Sequence, residues 1–181
     1  MAPHYGTENG YGYTFTEDIG PVSKTGSPER AMEGFQETPQ AIFPFPVTGC
    51  QHFTDGGYCT LHAGPKFAHG IGTVRVATAA TSFKFTVVSD EYFDAPQSTI
   101  EFSLKSRKGE LYLSQHAIAH DSVTLAYLGT KAGYTKMTWN LMAHNLRGAL
   151  GVRPSHPLQS TDWTLPNTWM DLIGGNWDQF Q

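Results

Sequence analysis

Two runs of alternating apolar and polar residues, set on either side of Lys108-Gly109, constrain this chain more than any other feature. Ile100, Phe102 and Leu104 alternate with Thr99, Glu101, Ser103 and Lys105, and beyond the turn Leu111 and Leu113 alternate with Tyr112 and Ser114. A period of two places each apolar set on one face of a strand, so the runs are expected to pair as a hairpin with one apolar side. Phe83, Phe85 and Val87 alternate with Lys84, Thr86 and Val88 in the same way and extend that face sideways. Gly64-Pro65, Gly70-Ile71-Gly72 and Asp94-Ala95-Pro96 punctuate residues 58–120 into short strands, for which an antiparallel meander is the economical arrangement.

A sheet with one apolar face needs a cover. Lys131 to Leu150 supplies one, because Lys136, Asn140, His144 and Arg147 line one stripe of a helix, while Tyr134, Met137, Leu141, Met142, Leu146 and Ala149 fill the opposite arc. Gly151 and Pro154 end that helix. Upstream, Tyr11 to Thr16 alternates aromatic with small or polar residues and predicts a first strand near 11–17. Ser27-Pro28-Glu29-Arg30 opens a short helix running to about Gln36, with Ser as cap, Pro in the first position and Glu where the helix dipole favours negative charge. Residues 39–57 contain Phe43-Pro44-Phe45-Pro46 and predict an apolar, irregular link.

The 181 residues fit one domain, with a flexible stretch at 1–10, a body at 11–150 and an aromatic tail at 151–181 that carries Trp163, Trp169, Trp177 and Phe180. Only 15% of residues are charged and the net charge is -4, with no basic cluster beyond Lys105-Ser106-Arg107-Lys108, so nucleic acid is not expected as a partner. No apolar run approaches the length that spans a bilayer, and no basic segment followed by an apolar run opens the chain; no membrane association and a cytoplasmic location are expected. The tail could pack on the body or form a homodimer interface.

No Gly-x-Ser-x-Gly, Walker, Gly-x-Gly-x-x-Gly or His-Glu-x-x-His motif is present, which removes the main hydrolase, nucleotide and zinc-protease readings, and no cofactor is expected. Cys50 and Cys59 read as two ordinary core thiols. His116 and His120 have a metal-like interval, yet on a strand they stand about 13 Å apart, so no metal site is expected. His62 and His69 flank a Gly-Pro turn, His144 belongs to the solvent stripe, and Asp90, Glu91 and Asp94 form an acidic loop without calcium-loop spacing. Gln115 stands out: the alternation Leu111, Leu113, Gln115 aims an amide at the apolar side, either to bridge buried backbone or to orient a ligand.

The opening Ser27-Pro28-Glu29-Arg30, the runs 83–89, 98–104 and 110–115, and the closing helix together resemble the START/Bet v 1-like superfamily, which includes SRPBCC and polyketide cyclase-like proteins. The link at 38–57 is richer in proline than that pattern, and the tail extends past the helix where many members stop. The resemblance implies an α+β helix-grip fold, an antiparallel sheet wrapped around a long C-terminal helix, with a cavity for a hydrophobic or amphipathic small molecule.

Phe83, Phe85, Ile100, Phe102 and Leu113 are the expected sheet wall of that cavity. Tyr134, Met137 and Leu141 are its expected helix side, and Gln115 is its polar member. A carrier-like binding role is the leading expectation. A cyclase or aromatase using Gln115, Tyr134 or a histidine for proton transfer is the enzymatic alternative. A lipocalin-like barrel is the third, disfavoured because all four tryptophans lie at position 139 or later.

Overall fold

Lys108 and Gly109 both adopt positive φ, 52° and 79°, the twist that joins two strands through a tight two-residue turn. Around that turn β6 (Thr99–Arg107) pairs with β7 (Glu110–His120), Arg107 opposite Glu110. The computed structural model describes residues 10–63, 70–90, 96–120 and 134–152. Before the hairpin come β1 (Gly10–Pro21), α1 (Val22–Thr25), α2 (Pro28–Glu37), a 3-10 turn at Pro39–Ala41, β2 (Val47–Thr48), β3 (Tyr58–Ala63), β4 (Gly70–Thr78) and β5 (Ser82–Val87). The closing helix, α3, spans Tyr134–Ala149.

The strands form one curled antiparallel sheet of order β1-β7-β6-β5-β4-β3-β2. From β3 to β7 it is the expected meander. β1 crosses the chain to pair with β7 along its whole length, from Gly10 opposite His120 to Pro21 opposite Glu110, and so extends past the expected end at residue 17. Its register shifts between Asp18 and Gly20, where Gly20 has φ 144° and a Cβ would stand 3.1 Å from Val152 Cγ1. Only glycine satisfies both the dihedral and the close approach. With α3 packed on β1 over the concave face, the expected α+β helix-grip architecture is present.

The short helix α2 starts as its sequence dictates: Arg30 N–H donates to Ser27 Oγ at 3.2 Å, with Pro28 and Glu29 in the first turn. It buries Ala31, Met32 and Phe35 toward β6. The proline-rich link that follows is more than a connection. Ile42, Phe43 and Phe45 are buried within it, and the Phe43 ring centroid lies 5.5–6.1 Å from those of Phe35, Phe45, Phe53, Phe83, Phe85 and Phe102. Asn145 on α3 holds the link in place by donating from Nδ2 to the Ile42 carbonyl at 3.0 Å.

Two sequence readings require correction. Cys50 and Cys59 are not free thiols: they form a disulfide, with Cα atoms 5.3 Å apart, that ties the link to β3. Closing so short a loop restricts the unfolded chain, so reduction should cost roughly 2–3 kcal/mol. Thermal melts with and without dithiothreitol check this; coincident melts would count against the bond. The helix faces also differ in detail. Ala149 is exposed, whereas Thr138, Trp139, Ala143 and Asn145 join Leu141, Met142 and Leu146 in the interior. Arg147 turns back to β1, its Nε and Nη2 donating to the Asp18 carbonyl at 3.2 and 2.6 Å.

Candidate functional site

Towards the Gly10 end of β1, where the link and α3 meet the sheet, a cavity of about 70 Å³ remains. Its walls come from alternate, inward-facing positions: Tyr13 on β1, Leu61 on β3, Val74 on β4, Phe85 and Val87 on β5, Ile100 on β6, and Ala117 and Ala119 on β7. Phe45 and Trp139 enclose it, and Ser98 and Thr99 add hydroxyls. The two alanines matter, because larger residues there would extend the aromatic packing seen in the adjacent core and fill the space.

Tyr13 and Trp139 lock one wall together. The indole Nε1–H donates to the Tyr13 hydroxyl at 2.9 Å, across 126 positions of sequence, and both side chains are buried. Buried Tyr and Trp need such partners, and the bond fixes their rings around the cavity. A volume of about 70 Å³ lies below the roughly 150 Å³ that admits benzene, so a larger guest enters by displacing wall side chains. Phe45, within the irregular link, and Trp139 are among the large rings at this border.

Of the expected wall residues, Phe85 and Ile100 line the cavity. Phe83, Phe102, Leu113 and Leu141 are buried beside it in packed core, Phe83 stacked on Phe102 with centroids 4.8 Å apart. Met137 is half-buried on α3, and the Tyr134 side chain falls outside the described residues. The aromatic tail at 153–181, His69, Glu91 and Asp94 also lie outside them. Gln115 is fully buried on the concave face, as its alternation implied.

Glu17 is a functional candidate absent from the sequence reading. It shares the inward parity of Tyr13 and Phe15 and stands opposite Leu113. Burial pushes its carboxyl from the ordinary 4.5 up to about 7, against the opposing pull of Arg147 and Lys136. The clue was in the alternation 13, 15, 17, which carries an acid into the position where another apolar residue belongs. Two of the described histidines sit elsewhere: His116 Nδ1 shares a 2.7 Å hydrogen bond with Thr14 Oγ1, and His62 Nε2 a 2.8 Å bond with Thr48 Oγ1.

The class defined by this architecture is the helix-grip fold, and solved structures share it. The chain is similar to the structure of a conserved protein of unknown function, EF2215, from Enterococcus faecalis, at 11% identity and a TM-score of 0.55, covering 95% of this chain and 87% of that one. It is similar also to the Aha1 dimer of Colwellia psychrerythraea, at 10% identity and a TM-score of 0.53, covering 77% of this chain and 95% of that chain. DynU16, a protein of the dynemicin biosynthetic locus, matches at 11% identity and a TM-score of 0.50, over 77% of this chain and 47% of its own. At these identities the likeness is one of fold. No family model matches the sequence, and no curated protein matches it. Among the described residues no helix is long and apolar enough to cross a membrane.

Proposed function

We propose that this protein binds a small hydrophobic or amphipathic molecule in the space between its sheet and α3. The observation that carries the reading is the apolar cavity bounded by Tyr13, Ile100, Ala117, Ala119 and Trp139 in a core otherwise packed with aromatic rings. Interiors are ordinarily filled to crystal-like density, so small residues facing a void at one end of the sheet favour a binding role over a structural one. The helix-grip fold supports the same reading. The Cys50–Cys59 disulfide fits an oxidising compartment better than the cytoplasm.

Titration with the apolar fluorophore N-phenylnaphthylamine tests it. Wild-type protein should enhance the dye's emission saturably. Ala117→Leu fills the cavity from β7 and should weaken binding roughly tenfold or more while leaving the melting temperature the same or higher. Equal affinity in the variant would place the dye elsewhere and contradict the reading.

A second reading, an acid–base enzyme of polyketide cyclase type on the same scaffold, draws on Glu17. A buried carboxyl near pH 7 suits proton transfer, and DynU16 belongs to a biosynthetic locus. Mass spectrometry of a co-purified ligand after incubation with the protein separates the two: an unchanged mass fits a carrier, a converted product fits an enzyme.

A further inference from the structure

Glu17 and Gln115 are diagonal neighbours on the concave face. Phe15 of β1 stands opposite Gln115 of β7, and Glu17 opposite Leu113. Such diagonal positions have Cβ atoms about 7 Å apart, within reach of long side chains. Gln115 is 0% exposed. Its Nε2 and Oε1, and Oε2 of Glu17, are buried without a hydrogen-bond partner among the described residues. The residues flanking Gln115 across the sheet offer none, since they are Phe15 on one side and Phe102 on the other.

A glutamine kept for structure bonds the backbone or another side chain, as Asn145 does with Ile42. Among the described residues Gln115 does neither. Its position gives the alternative. The next inward residue along β7 is Ala117, which lines the cavity, so Gln115 stands about 7 Å along the strand from a cavity-wall position.

We propose that Glu17 and Gln115 form a head-group site, binding a neutral polar head that carries both a hydrogen-bond donor and an acceptor while the apolar body of the same ligand occupies the cavity. This rests on the cavity being a ligand site. Gln115 Nε2 donates to the head's carbonyl or hydroxyl oxygen, Gln115 Oε1 accepts from its N–H or O–H, and the Glu17 carboxyl offers a further partner. Charged heads are excluded by the cost of burying a charge beside Phe15, Phe102 and Leu113. Carboxamides and alcohols with short apolar chains are the class that fits.

Hexanamide and methyl pentyl ketone make a matched pair, because the ketone replaces the amide NH2 by CH3 and keeps size and acceptor. Affinities are read from the shift of the Ala117 methyl resonance. Wild-type protein should bind the amide about tenfold or more tightly than the ketone, because the ketone leaves Gln115 Oε1 unpaired. The Gln115 side-chain amide resonances should move with both ligands, which share the acceptor oxygen, and further with the amide, which also donates to Oε1. Gln115→Met removes both the donor and the acceptor and should abolish the preference, weakening the amide more than the ketone. Equal binding by the wild type, or a preference that survives in Gln115→Met, overturns the head-group site and leaves the cavity reading standing. Failure of both ligands to shift Ala117 overturns the cavity reading and the head-group site with it. The wild-type comparison decides the matter even where a variant does not fold.

Discussion

Phe43→Ala should lower the free energy of unfolding by about 3–5 kcal/mol, the range for emptying a fully buried aromatic site. Phe43 is fully buried, and its ring is the meeting point of α2 through Phe35, the link through Phe45 and Phe53, and the sheet through Phe83, Phe85 and Phe102. Aromatic contacts add about 0.5–1.5 kcal/mol per pair beyond buried area, and Ala removes all of them while leaving a cavity. The link cannot collapse to close it, because the Asn145 bond to the Ile42 carbonyl and the Cys50–Cys59 disulfide hold both sides of the segment. Urea unfolding monitored by circular dichroism measures the loss. A change under about 1 kcal/mol would show that the link does not plug the core.

The second large effect is a pH dependence traceable to Glu17. Its carboxyl binds a proton more tightly in the folded protein, at about 7, than at the ordinary 4.5. Below pH 4.5 the group is protonated in both states and its contribution to stability is fully present. As pH rises from 4.5 through 7 the unfolded chain releases the proton first, and stability falls. At about 1.4 kcal/mol per pH unit the loss is on the order of 3 kcal/mol, complete above pH 8. The opposing cations Lys136 and Arg147 on α3 are already weighed in that balance, and Gln115 across the sheet is neutral. Glu17→Gln carries no titrating proton, so the difference between variant and wild-type unfolding curves should grow in the variant's favour from pH 4.5 to 8. A constant difference would mean that Glu17 titrates as an exposed carboxyl.

Local signals were legible where local chemistry decides the outcome. Lys108-Gly109 and the alternation around it specified the β6–β7 hairpin, and Ser27 with Pro28 specified the start of α2. Parity along β7 placed Gln115 on the concave face. The first strand was read only to about residue 17, where the aromatic alternation of Tyr11 to Thr16 ends, whereas pairing with β7 carries β1 on to Pro21. The link was legible as irregular but not as core, since its aromatic residues are buried by elements distant in sequence.

The site was less legible than the fold for the same reason. Phe85 and Ile100 followed from strand alternation, but the bond between Tyr13 and Trp139 joins opposite ends of the described chain and leaves no mark in either local pattern. Trp139 lies between the polar stripe and the apolar arc drawn for the helix. Its burial depends on Tyr13 supplying an acceptor. The disulfide was missed because a nine-residue spacing matches no motif, and only the approach of the link to β3 brings Cys50 beside Cys59.

Methyl-resolved NMR of the wild-type protein during titration with N-phenylnaphthylamine tests the central claim most directly. The account predicts saturable shifts at Ile100, Ala117 and Ala119, which line the cavity, with Ile71 and Ile118 on the exposed outer face unmoved. Shifts confined to Ile71 and Ile118, or no shifts at all, would contradict an internal ligand site.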